Sequence, residues 1–365
     1  MLRRLTLAAP CNLERLAKDM RQRAAKWWNR LVLQQCAALL VSIVVLAGCA
    51  NFPTTDPLPS WNEGPTKAAI VKLITDSTRA GGPDFVPLAE RIATFDNDGT
   101  LWAEHPMYVE VLFTGARIRE MAAQHLEWRT QQPFKAVIDG DREAMAKLTE
   151  IDFFKLMAAT HADRTSAQFQ KAAADWLAVT RHPRFNKLYT ELVYQPMLEV
   201  LAYVRANGYK TYIVSGGTLD FIRSFADKAY GIPPEQVIGT SFDAKYAFTN
   251  DVAAVTAEPK LMLLDDGPGK AVGIDHVIGR VPIAAFGNSD GDIAMLETTT
   301  NSPTSKQRPR LAAFVWHTDA VREYAYDRNT TVGRLNQGLD RAPKLGWHLI
   351  DMKSDWKVIF PFELK

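Results

Sequence analysis

Residues able to do chemistry gather at the ends of three short apolar runs. The run from Arg91 to Phe95 opens into Asp96-Asn97-Asp98-Gly99-Thr100. Tyr209 to Val214 opens into Ser215-Gly216-Gly217-Thr218, and Val281 to Phe286 into Gly287-Asn288-Ser289-Asp290-Gly291-Asp292. Short apolar runs bounded by polar, glycine-bearing loops read as buried strands. In an open parallel sheet, ligands bind outside the carboxyl ends of such strands. The three loops would therefore meet, bringing together several carboxylates, a hydroxyl and backbone N–H groups. Like charges that close need a counterion, and hard oxygen donors without Cys or His favour Mg²⁺.

The elements that must position these loops alternate along the chain. A helix is expected over 66–79 and stopped by Gly81-Gly82-Pro83. Residues 105–190 change to helical spacing, in stretches 108–130, 142–159 and 164–179. A helix over 196–208 leads to the second strand, and another over about 219–230 follows it. A strand at 236–240, a hairpin over 242–256, a helix from Lys270 to Ile278 and a strand at 311–316 complete the pattern. Strands alternating with helices imply an α/β fold, a parallel sheet with helices on both faces. The 105–190 stretch interrupts it as an insertion.

Taken singly, each motif has a plain structural reading. Asp-x-Asp-Gly also suits a turn or a calcium-type loop, Ser215 a helix N-cap, and Lys270 an exposed helix start. Taken in order, the four segments resemble the haloacid dehalogenase superfamily in its phosphatase branch, over roughly residues 90–300. Asp96 to Thr100 match the first motif, Ser215 the second, Lys270 the third and Gly287 to Asp292 the fourth. The resemblance implies a Rossmann-like sheet and, at 105–190, the helical cap of the phosphoserine phosphatase-like subgroup.

It also implies roles. Asp96 would be the nucleophile and would form an aspartyl-phosphate, and Asp98 the general acid and base. Ser215, Gly216 and Lys270 would bind the phosphoryl group. Asp96, the Asp98 carbonyl and the fourth motif would hold Mg²⁺. Asn288 stands where the family's first acidic ligand belongs, so Asn288, Asp290 and Asp292 share the expected metal contact. Dehalogenases of the superfamily lack the second acid, so Asp98 points to phosphomonoester hydrolysis. A phosphotransferase or mutase on the same fold, or a non-catalytic lipoprotein, remain the alternatives. Glu104 and His105 lie close enough to the first motif to face substrate, although Pro106 suggests a turn.

The charge pattern sets the N-terminus apart. The chain of 365 residues has a net charge of +2, yet residues 1–48 hold eight Lys/Arg against two Asp/Glu. The remainder has 35 basic and 39 acidic residues, with no basic excess to suggest nucleic-acid binding. Arg21, Arg23, Lys26 and Arg30 precede an apolar run from Cys36 to Ala47 that ends in Leu46-Ala47-Gly48-Cys49. The run is shorter than the roughly 20 residues of a spanning helix. It has the parts of an export signal, and its end resembles the bacterial lipobox, with Cys49 as the lipidated residue. Met20 would serve equally as a start.

Residues 1–48 are thus expected to be a lipoprotein signal peptide and 49–65 a Pro-rich tether. Residues 66–365 are expected to form the hydrolase domain. Cys11, Cys36 and Cys49 are the only cysteines, which leaves no disulfide or thiol chemistry in the body. A lipid anchor on the periplasmic face of the outer membrane follows by resemblance, since Ala50 succeeds the cysteine. The implied partner is a small phosphorylated substrate, and the sequence leaves oligomeric state open.

Overall fold

A computed structural model describes residues 56–364 of the chain. The expected signal peptide (1–48), Cys49 and residues 50–55 of the expected tether lie outside the described residues. The first strand, β1 (Ile92–Phe95), is buried at every position. It lies between β2 (Lys210–Thr218) and β5 (Ala284–Gly287), and both of its faces are covered. That position explains a continuous apolar run without alternation.

Seven strands among the described residues form one sheet. From the other edge inward it runs β4 (Val252–Leu263), β3 (Val237–Thr249), β2, β1, β5, then β6 (Leu311–Trp316) and β7 (His348–Asp351). All neighbours pair in parallel except β3 and β4. Register fixes where the motifs emerge. Phe95 pairs with Ile213 on one side and with Phe286 on the other, so the loops after all three strands leave from the same edge. Phe95 and Phe286 stack with ring centroids 4.9 Å apart directly beneath that edge.

The insertion between β1 and β2 is helical. It contains α2 (Val109–Met121), α3 (Phe134–Asp139), α4 (Arg142–Met145), α5 (Glu150–His161) and α6 (Ser166–Leu177), while α1 (Pro65–Thr78) precedes β1. The expected helix over 142–159 is broken in two. Thr149 supplies an N-cap with a reciprocal Asp152 bond, so a new helix starts there.

Strand β3 outlasts the expected one. It pairs with β2 only as far as Thr240, then continues as a hairpin with β4. Asn250 and Asp251 at the turn both have positive φ (51° and 61°), as a two-residue hairpin turn of this hand requires. The hairpin is tied to the insertion by two backbone bonds, Asp163 N–H to the Ala257 carbonyl (3.0 Å) and Ala257 N–H to the Arg164 carbonyl (2.9 Å).

One expectation is corrected. The tether does not extend to residue 65, because the compact body begins at Pro57. Leu58 and Trp61 are fully buried, and Trp61 Nε1 donates to the Pro196 carbonyl at 3.0 Å. An antiparallel bridge adds to these apolar anchors, with Asn62 N–H donating to the Asp355 carbonyl and Lys357 N–H to the Ser60 carbonyl, each at 2.8 Å. Beyond the elements read from the sequence, a helix (Gln337–Leu345) leads into β7, which extends the sheet beside β6. Pro343 inside that helix and the four-residue length of β7 hid both.

Candidate active site

The three loops and the first turn of the helix Pro268–Val277 meet at the floor of a cavity of about 540 Å³. Asp96, Asp98, Ser215, Gly216, Lys270 and Asn288 all line it. Lys270 is buried rather than an exposed helix start. Its Nζ donates to Asp96 Oδ1 at 2.6 Å and to Asp292 Oδ1 at 2.5 Å. Burial works to lower the Lys270 value, but the charges of Asp292 and Asp96 outweigh it and hold the ammonium above its ordinary range. Lys270 is therefore a fixed cation.

Asp96 is buried at the end of β1. Burial, then the Asp292 charge, push its carboxyl well above the usual range, against the pull of Lys270. Asp98 accepts from Trp102 Nε1 at 2.8 Å, and burial raises its value despite that bond. A raised value suits a group that must carry a proton at neutral pH. Gly99, between the acid and Thr100, has φ +71°, and a Cβ there would lie 2.0 Å from Asn288 Nδ2. Only glycine fits this close passage. Ser215 is buried at the cavity wall, and its Oγ accepts from Gly217 N–H at 3.2 Å. The N-cap position of the next helix belongs to Thr218, so the N-cap reading of Ser215 fails.

The fourth motif divides its labour differently from expectation. Asp290 does not line the cavity. Its Oδ1 accepts from the N–H groups of Asn336 and Gly338, each at 2.9 Å, and thereby caps the helix Gln337–Leu345. Asp292 has both oxygens engaged within the protein, Oδ1 by Lys270 and Oδ2 by the N–H groups of Asn288 (2.9 Å) and Ser289 (3.0 Å). It holds the loop and the lysine, and of the three only Asn288 reaches the cavity.

Asn288 leads to a residue that sequence reasoning left undecided. Its Nδ2 donates to Glu104 Oε1 at 2.6 Å, and Tyr326 OH donates to the same oxygen at 2.7 Å. Glu104 is buried, lines the cavity, and is pushed well above the usual range by burial. Its neighbour His105 instead makes contact with the Val332 carbonyl and stays outside the lining. His317 was also unsuspected. Its Nε2 donates to the Gly99 carbonyl at 2.8 Å, and its ring stacks on Tyr326. Both Tyr326 and His317 come from a segment with no motif, so no local signal could have placed them.

The donors suit a hard divalent cation. The Asp96 carboxylate, the Asp98 carbonyl and the Asn288 amide oxygen would be its ligands. The charge balance agrees. Asp96 and Asp292 share one cation, Lys270, and burial first, then neighbouring carboxylates, raise the values of Asp96 and Glu104, so a further positive charge would be favoured there.

The chain belongs to the haloacid dehalogenase-like hydrolase family. The family model matches residues 93–297, more than half of the chain and the whole span from β1 through the fourth motif. The protein is thus a hydrolase on an α/β fold of this type. No curated protein matches it in sequence. It is similar to a conserved functionally unknown protein from Anaerococcus prevotii, with 15% identity over 70% of this chain and 86% of that one and a TM-score of 0.48. A protein of unknown function from Bordetella pertussis shares 16% identity over 72% and 99%, with a TM-score of 0.42. A phosphoserine phosphohydrolase-like protein from Francisella tularensis shares 17% over 62% and 87%, with a TM-score of 0.33.

Proposed function

We propose that this hydrolase is a Mg²⁺-dependent phosphomonoester hydrolase acting through an aspartyl-phosphate on Asp96. One observation carries the reading. A buried carboxylate is held by a fixed ammonium at 2.6 Å, beside a second acid two residues on and open to a cavity. An Asp96 oxygen attacks phosphorus, and the bond from phosphorus to the leaving oxygen breaks. Asp98 gives that oxygen its proton. Asp98 then takes a proton from water, whose oxygen attacks the phosphorus, freeing inorganic phosphate and the Asp96 carboxylate. Lys270 and Ser215 hold the phosphoryl oxygens throughout. Bound Mg²⁺ would offset charge between the nucleophile and the phosphate.

Burial of the acids and lysine at an open cavity supports a working site over a non-catalytic scaffold. The test is phosphate release from 4-nitrophenyl phosphate by the purified protein. Activity should need Mg²⁺, vanish with EDTA and vanish in Asp96→Asn. Turnover that survives both treatments would sink the reading.

The basic n-region, short apolar run and Leu-Ala-Gly-Cys support a lipid anchor at Cys49 and a place in the bacterial cell envelope, on the periplasmic face of the outer membrane. Cys49→Ala should then release the protein from membranes. Retention through a high-salt wash would argue for an uncleaved anchor instead.

A further inference from the structure

The walls of the cavity differ sharply from its floor. Above the acids and Lys270, the roof consists of Met107 and Val111 at the start of the insertion and Leu148, Phe153, Phe154 and Met157 around the helix Glu150–His161. Leu264, just past the end of β4, adds to it. The ionisable lining is one-sided. Asp96, Asp98, Glu104, Glu110 and Asp266 face the space, and Lys270 is its single cation among the described residues. No Arg or His lines it, and Lys270 is already committed to Asp96 and Asp292. Glu110 is occupied by Thr218, which donates to it from both N–H and Oγ1.

Such a space recognises leaving groups by elimination. The phosphoryl group takes up Lys270 and the bound cation, so a second anion on the substrate would leave water beside acids and apolar side chains with no cationic partner, which is costly. An uncharged apolar group would lie against the roof and gain from leaving water. Resting on the phosphatase reading above, we propose that the substrate is a phosphomonoester of an alkyl or aryl alcohol whose leaving group bears no anion. Phosphoamino acids and phosphorylated carboxylic acids would be disfavoured by the same lining.

The experiment compares kcat/KM for 1-naphthyl phosphate, hexyl phosphate, O-phosphoserine and 3-phosphoglycerate at saturating Mg²⁺. Expected are values for the first two that exceed those for the carboxylate-bearing pair by about 100-fold or more. Along an ethyl, butyl, hexyl series kcat/KM should rise by up to roughly fourfold per methylene. Comparable turnover of O-phosphoserine would overturn the inference and leave the phosphatase reading standing. No phosphate release from any ester would overturn both. Met157→Arg supplies the cation the roof lacks. It should raise kcat/KM for O-phosphoserine while lowering it for 1-naphthyl phosphate, an inversion that a folding defect, which lowers both, does not imitate. A variant that lowers 1-naphthyl phosphate turnover without any gain for O-phosphoserine would count against the roof as the selective surface.

Discussion

Glu104 and Asn288 form a pair whose charge can be moved from one partner to the other. Glu104 Oε1 receives two short hydrogen bonds, from Asn288 Nδ2 at 2.6 Å and Tyr326 OH at 2.7 Å. When a divalent cation binds next to Asn288, ionised Glu104 fixes the amide and contributes the negative charge that residue 288 lacks. In Glu104→Gln both bonds become neutral. The loss is roughly 1 kcal/mol for each, so about 2 kcal/mol, or about 30-fold in Mg²⁺ affinity.

Asn288→Asp alone sets two carboxylates 2.6 Å apart. At an effective dielectric of 20 they would repel by roughly 6 kcal/mol. Holding a proton on one of them at pH 7 costs only about 3 kcal/mol, so the pair would take one up. Mg²⁺ must then displace that proton, and affinity should rise with pH. The double variant Glu104→Gln/Asn288→Asp restores one acid and one amide in exchanged places. Its Mg²⁺ affinity, measured by titration calorimetry, should return to within about threefold of wild type. Wild-type affinity in Glu104→Gln, or a double variant weaker than either single one, would refute this account of the site.

Three further outcomes follow from the same geometry. Asp290→Ala should cost about 1 kcal/mol of stability through loss of a helix cap, with Mg²⁺ affinity unchanged; denaturant unfolding and calorimetry separate the two. Lys270→Met should abolish turnover and lower stability by about 3–5 kcal/mol in metal-free buffer, because Asp96 and Asp292 lose their common partner. Glu110 is pushed by burial from an ordinary value of 4.5 to about 7. Unfolded, it ionises near 4.5 while the folded form keeps its proton. Stability should therefore fall as pH rises from about 4.5 to 7, by up to about 3 kcal/mol. Glu110→Gln should flatten that part of the denaturation profile, and an unchanged slope would remove Glu110 as its source.

The sequence by itself determined the strands that bear the motifs and the order in which they carry them. A four-residue apolar run next to an acid cluster has few uses other than a central parallel strand, and its parallel pairing sends Asp96, Ser215 and Asn288 to one edge. Lys270 was legible only through the resemblance to the family's ordered motifs, since a lone lysine at a helix start carries no signal of its own.

What chain order could not decide was the direction of side chains within a loop. Asp290 and Asp292 are two residues apart in one glycine-bearing turn. One reaches outward to cap a helix made of residues 337–345, while the other points inward to Lys270. Those partners lie far away in sequence, so the assignment depends on the packed structure. The same holds for Glu104, whose significance comes from Asn288, Tyr326 and a cavity roof formed by helices of the insertion. Local patterns fix where backbone goes, because hydrogen bonding and apolar periodicity are local. Which buried charges face each other is a long-range matter, settled only when distant segments close over them and water is removed.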